Sequence, residues 1–326
     1  MKSLLTSALL PLTSYLLPLT FYLLPLTSVT ATAQTTIVRP DLHTDTKIAP
    51  LYFGPNAFPV PEMLDDAIAP TLQVTAAGTE HWGDFGDRAT DALLRLRVPL
   101  FTSRANLVLW LPVEHYRLTP EWKKHARIGT NPTESGTAIG TAFVSTDILL
   151  MRETKRRPVL SLRAAIKTAS EDSWADARYY DCPGYFFDAA IGKGVNFSGM
   201  WLQSLRIGAS AGFLCWQTDN GRQNDATMYA VGAKARFRYV ELSQDLRGYS
   251  GWEGDGDRPM VMKSQIAGHF PLRHTSNTPS EDKNERSKPI FSPFVAYEKG
   301  LRDYPYQHLS VGLTIDFDIL RKQRDK

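Results

Sequence analysis

The sequence predicts an all-β fold: an antiparallel transmembrane β-barrel of about twelve strands behind a cleaved signal peptide. Three observations predict it. The chain opens on an apolar leader that contains no acidic residue. Beyond residue 34 it never gathers the run of about 18 apolar residues that marks a transmembrane helix. What recurs instead is alternation of apolar and charged residues over long segments, the period of a strand with one greasy and one polar face.

Residues 1–33 read as the signal peptide. They begin Met1-Lys2, continue in Leu, Pro, Thr and Ser, and end on Ala31-Thr32-Ala33. That small-x-small pattern suits signal peptidase and leaves Gln34 as the new N-terminus. A seven-residue repeat inside the leader carries Pro11, Pro18 and Pro25, one per repeat. Each proline removes a helix hydrogen bond, so a coiled coil is excluded. An uncleaved anchor over 4–26 is the competing reading. No cysteine lies near the cleavage site, which leaves a lipoprotein anchor without support.

Residues 34–68 show no periodicity, and 48–61 are rich in proline and aromatics. Two arrangements are open for this stretch: an irregular periplasmic strap or leader, and a plug folded into the barrel mouth.

The barrel is expected over 69–318. Leu94, Leu96, Val98 and Leu100 share one face, with Arg95 and Arg97 on the other. Leu160, Leu162, Ala164 and Ile166 likewise oppose Arg163 and Lys167. Similar walls recur at 204–215, 227–238 and 308–318. A soluble sandwich also alternates, but here long cations and carboxylates stand at mid-strand in segments long enough to cross a bilayer at a tilt. Lipid admits only helices and closed barrels. The expected strands are 69–78, 90–101, 105–116, 138–151, 158–169, 184–194, 201–216, 226–237, 240–251, 259–270, 290–300 and 307–318. Their connections alternate between long polar loops and short turns, and an even count returns both ends of the barrel to the periplasm. The exception is 271–289, a long polar connection on the short-turn side. Residues 319–326 form a basic tail.

Composition narrows the partners. The 326 residues hold 37 Lys+Arg against 34 Asp+Glu, for a net charge of +3, and no basic stripe that calls for nucleic acid. Two cysteines exclude a disulfide scaffold and a four-cysteine zinc site.

Two resemblances add to this. The last strand reads Ser310-Val311-Gly312-Leu313-Thr314-Ile315-Asp316-Phe317 and resembles the terminal signal by which outer-membrane barrels are recognised for assembly. Ser310, Gly312, Ile315 and Phe317 carry that likeness, and it implies the barrel-assembly machinery as a partner. The chain departs from the pattern by continuing to Lys326. Further upstream, Ser145-Thr146-Asp147, a basic turn, and Arg163-Ala164-Ala165-Ile166-Lys167-Thr168-Ala169-Ser170 resemble the outer-membrane barrel family named for the meta pathway of phenol degradation. Asp181-Cys182-Pro183-Gly184-Tyr185-Phe186-Phe187-Asp188 and Gln223-Asn224-Asp225 read like the same kind of barrel. This resemblance implies channel-like uptake and brings no catalytic residues.

On the strand alternation, the lumen is expected to carry Arg95, Arg97, Arg163, Lys167, Arg206, Lys234, Arg236, Arg247 and Lys263. Against them stand Glu114, Asp147, Asp188, Glu241, Asp245, Glu298, Asp316 and Asp318. Such rings filter small polar solutes in an open pore, or pair into a packed polar core in a closed one. An enzyme requires Ser, His and an orienting acid together, and the seven histidines show no such setting along the chain. No histidine spacing suits a metal, and no cofactor is expected. Cys182 and Cys215 fall on opposite strand parities, which disfavours a bond between them. Aromatics near strand ends, among them Trp110, Tyr116, Trp122, Trp174, Trp201, Trp216, Trp252 and Tyr306, read as interfacial girdles. The expectation is a passive outer-membrane channel of a Gram-negative envelope, in contact with outer-membrane lipid and a small solute. The alternatives are a closed barrel with a structural or surface-binding role and, third, a lipid-modifying enzyme.

Overall fold

The computed structural model describes residues 49–64, 68, 71–100, 104–126, 134–170, 183–198, 201–217, 223–252, 256–271 and 289–317. The leader, the C-terminal tail, Cys182, Trp174 and Asp318 lie outside them.

Twelve antiparallel barrel strands follow one another around a closed sheet. They are β1 (Leu72–Gly83), β2 (Arg88–Pro99), β3 (Ala105–Arg117), β4 (Ser135–Ile139 and Phe143–Met151), β5 (Val159–Lys167) and β6 (Gly184–Asn196). The second half holds β7 (Leu202–Gln217), β8 (Gln223–Phe237), β9 (Val240–Ser250), β10 (Met260–Gly268 and Phe270–Pro271), β11 (Ile290–Arg302) and β12 (Tyr306–Phe317). Closure comes from β1 against β12, in unbroken register from Leu72–Phe317 to Gly83–Tyr306. Most expected boundaries move by a few residues, the first strand's end by the most. The first strand runs to Gly83 rather than ending at 78, so the expected loop 79–89 shrinks to 84–87, and the fourth begins at Ser135.

Both broken strands face a proline. Pro112 on β3 lacks an N–H, and the ladder is lost between the Val113–Ile139 and Trp110–Phe143 pairs. β4 has one more residue than β3 in that gap, a bulge that turns Phe143 back toward the lumen. β10 breaks at His269, just past Gly268, whose place on β11 is opposite Pro293.

The barrel is packed inside out. Aliphatic side chains on the outer face stand exposed, such as Leu94 (59%), Ile166 (59%) and Ile207 (61%). In water so broad an apolar belt would be costly, and in lipid it is solvated. The inner face buries charge instead: Glu114, Arg163, Lys167, Asp188 and Arg247 are all buried.

The long-loop end carries helix α1 (Pro120–Ala126), begun by Pro120 and capped by Thr119, whose Oγ1 accepts the Trp122 N–H at 3.1 Å. Residues 49–64 lie within the barrel. Leu51 donates its N–H to Gly256 O, and His125 of α1 reaches Leu51 O at 3.0 Å, both at the long-loop end. Glu62 contacts mid-barrel side chains, and β1 then starts at the short-turn end. The segment therefore runs down the lumen from the long-loop end.

Candidate functional site: the luminal charges and the segment between them

Cross-strand partners share a face, so register alone assigns the lining. The chain of pairs Arg97–Val108, Asn106–Asp147, Asp147–Arg163, Arg163–Asp188, Asp188–Gly212 and Arg206–Lys234 keeps one side throughout. Arg236–Glu241, Asp245–Lys263, Lys263–Glu298 and Ile290–Asp316 continue it. Of the seventeen charged positions expected in the lumen, the sixteen that are described fall on this inner face, and Asp318 lies outside the described residues. Arg95, Arg97, Asp147, Arg163, Lys234, Glu241, Asp245, Arg247 and Lys263 border a central cavity of about 490 Å³. Glu114, Lys167 and Asp188 are buried within the wall. Arg206, Arg236 and Asp316 stand toward the short-turn end, where Asp316 accepts from Thr71 Oγ1 at 3.1 Å.

The luminal segment uses these charges. Glu62 lies 2.7 Å from Arg95 and 3.0 Å from Lys263, while its main-chain carbonyl accepts from Arg163 at 2.8 Å. Arg163 is also bidentate to Asp188, at 2.8 and 2.9 Å, and lies over the Phe186 ring. Nearer the long loops, the Asn56 amide donates to both Asp91 (2.8 Å) and Glu114 (2.7 Å). That places a donor between two buried carboxylates. Asp91 also meets His81 at 2.7 Å, and His81 packs edge-on against His308. Tyr304 and Tyr306 hydroxyls donate to Pro55 O (2.7 Å) and Phe53 O (3.2 Å). Burial, and then the Glu298 carboxylate, push the Tyr304 phenol well above its usual range, so it stays a donor.

Other cations are paired along the wall. Arg247 bridges Asp245 (2.6 Å) and Glu298, and Arg97 takes Gln73 at 3.0 Å with Asp147 farther off at 3.9 Å. At the short-turn rim Glu153 receives Arg206 at 2.5 Å and the Gly194 N–H at 2.9 Å. Burial raises its pKa, but those two hydrogen bonds with the Arg206 and Lys193 charges outweigh it and hold the carboxyl below its usual value.

Several expectations change. Trp110 is no girdle residue: it faces the lumen, stacked on Phe143 at 4.9 Å beneath Arg95. Tyr116, Trp122, Trp216 and Tyr306 are buried as well, and Trp122 donates to the Tyr306 hydroxyl at 3.1 Å. Trp201 and Trp252 remain exposed. Cys215 takes the outward parity, opposite Tyr185.

One histidine does meet a serine, contrary to the reading along the chain. His269 Nδ1 lies 3.1 Å from Ser292 Oγ, with Glu241 3.8 Å from the other ring nitrogen. The carboxylate is beyond hydrogen-bonding distance. Pro293, directly after Ser292, has no N–H to offer an oxyanion. This cluster joins β10, at its break, to β9 and β11. Among the described residues no group of His, Cys, Asp and Glu is arranged to hold a metal.

Asn56 and Glu62 escaped the sequence reading because the luminal partner of an aperiodic segment has no spacing rule. The available signal was that Glu62 is the lone charged residue between Lys47 and Asp65. The assembly-signal positions divide by face. Ser310 and Gly312 take the inward parity, Ser310 bonded to Thr79 at 2.8 Å, while Ile315 and Phe317 take the outward one.

No family model matches the chain, and no curated protein matches it either. The likeness to the phenol-degradation barrels therefore rests on the motifs quoted above. Among solved structures, an outer-membrane channel from Pseudomonas putida F1 is similar with a TM-score of 0.50 and 9% identity, over 78% of this chain and 97% of that one. The transport unit of an autotransporter from Escherichia coli gives 0.41 and 9%, over 79% and 93%. A Bordetella autotransporter β-domain gives 0.41 and 8%, over 76% and 98%. The first of these likenesses shows the fold, a closed barrel of the outer-membrane type.

Proposed function

We propose that the chain is exported to the outer membrane and serves there as a passive channel for small polar or aromatic solutes. The observation that carries this reading is the cavity beside the luminal segment. It is bordered by Arg95, Arg97, Lys234 and Lys263 on one hand and by Glu62, Asp147 and Asp245 on the other. Trp110, Phe143 and Phe186 supply rings among those charges. Oriented charges across a narrow lumen select solutes by charge, and the rings offer flat faces for aromatic ones.

A second reading has its own support. Residues 49–64 are tied to the wall at several points, as in a barrel closed by its own chain and used structurally. Conductance of the refolded full chain in a planar bilayer separates the two. A channel gives stable steps, and Arg95→Ser with Arg97→Ser shifts its selectivity toward cations. A folded barrel that never conducts supports the closed reading.

A further inference from the structure

Among the described residues, the two rims of the barrel differ in charge, although Asp87 and Asp257 of the long-loop end are buried. The described residues of the long-loop connections hold six carboxylates (Asp84, Asp87, Glu121, Glu134, Asp257, Asp303) against three cations (Lys123, Lys124, Arg258). Those of the short-turn connections hold six cations (Arg104, Arg152, Lys155, Arg156, Arg157, Arg238) against one carboxylate, Glu153. That carboxylate is engaged by Arg206, Lys193 and the Gly194 N–H.

The basic turn is a built structure. Thr154 donates its N–H to Arg157 O at 3.0 Å, and Arg157 returns an N–H to Thr154 Oγ1 at 3.0 Å. The Lys193 ammonium donates to the carbonyls of Thr154, Lys155 (3.2 Å) and Arg157 (3.3 Å). With its carbonyls drawn onto Lys193, the turn presents Lys155, Arg156 and Arg157 as consecutive exposed side chains. Like charges held this close repel one another, and an anionic surface relieves the repulsion.

The surface beside the turn identifies the anion. The lipid-facing belt reaches it through Ile191, Val195 and Leu205, all exposed. Trp201, 75% exposed, stacks on Phe237 at 5.1 Å, and the Arg238 guanidinium lies 5.0 Å over the Tyr239 ring. Aromatic rings and cations at the edge of an apolar belt match the level of phospholipid headgroups. An acidic protein would satisfy the cations and leave the belt unexplained. We propose that the short-turn rim docks anionic phospholipid headgroups, with the turn at 152–157 supplying the phosphate contacts. This rests on the barrel lying in a membrane and is independent of whether the lumen conducts.

Native mass spectrometry of the refolded full chain, titrated separately with phosphatidylglycerol and phosphatidylcholine, tests it. Each cation at a membrane surface contributes about fivefold in binding. Phosphatidylglycerol should therefore be retained at least about tenfold more tightly, and K155Q/R156Q/R157Q should abolish that preference. Heat-modifiable mobility and phosphatidylcholine retention should stay unchanged. The single reversal Arg156→Glu, at the exposed turn, gives the same readout in smaller measure without burdening the fold. Equal retention of the two lipids overturns the proposal, as does a preference that survives the substitutions. Tighter retention of lipid A would assign the rim to the other leaflet's lipid, and displacement by inorganic phosphate would make it a free-phosphate site; either result also overturns it.

Discussion

Glu62 and Arg95 meet at 2.7 Å in the middle of the lumen, and the same carboxylate reaches Lys263 at 3.0 Å. With Arg163 held by the Glu62 carbonyl, a single residue is tied to β2, β5 and β10, strands spread around the whole circumference. The Glu62 side chain is 42% exposed to the cavity, so solvent screens each pair to about 1 kcal/mol. Glu62→Gln should thus shift the segment toward release by roughly fivefold per pair lost. In a conducting barrel this appears as a larger open fraction in planar-bilayer recordings. Identical traces for the two proteins would mean that the carboxylate does not hold the segment.

Arg163 and Asp188 form a buried bidentate pair, with side-chain exposures of 9% and 0%. Arg163→Met leaves the Asp188 carboxylate uncompensated in the wall and should cost about 3–5 kcal/mol. The double change with Asp188→Leu should recover most of it, because two apolar side chains leave no buried charge. Midpoints of heat-modified gel mobility compare the three proteins.

Gly312 of the closing strand faces Phe294. A Cβ built there would lie 2.5 Å from the Phe294 ring and 2.8 Å from Ala76 O, so no side chain fits without movement of the β1–β12 seam. Gly312→Ala should destabilise the folded barrel by about 1–3 kcal/mol through overpacking. Urea refolding into detergent micelles reads this directly, and a wild-type midpoint would separate Gly312 from closure.

Glu153 makes the basic turn sensitive to acid. Its folded pKa lies below the unfolded value, so its contribution is present above the ordinary carboxylate pKa and is lost as pH falls through the folded value. Protection of the Gly194 amide in hydrogen exchange should hold at pH 5 and above, about the upper edge of carboxylate titration, and decline only in stronger acid. Protection that declines already at neutral pH would show that the carboxylate does not hold the turn.

Much of the barrel was legible because a strand in lipid obeys a strict rule: every second residue must suit hydrocarbon. Leu94, Leu96 and Val98 fix Arg95 and Arg97 on the other side, and the same parity places Arg163, Lys234 and Lys263. The rule fails where lumen-facing residues are apolar, as at Leu93, Trp110 and Phe143, which line the cavity together with residues of 49–64. It was also stopped too early in β1, where Thr79 and His81 continue the inward face beyond Gly78. His269 and Ser292 stand on neighbouring strands across a long connection, so their meeting has no signature along the chain.

By itself the sequence determined the fold class, the strand number and the strand parity of the charges named for the lumen, because strand periodicity is local. The tertiary structure alone decided which charges pair, where 49–64 runs and how much lumen it leaves. Those depend on Glu62, Asn56 and Pro55 reaching side chains distant in sequence, in a space that exists only once β1 has closed on β12.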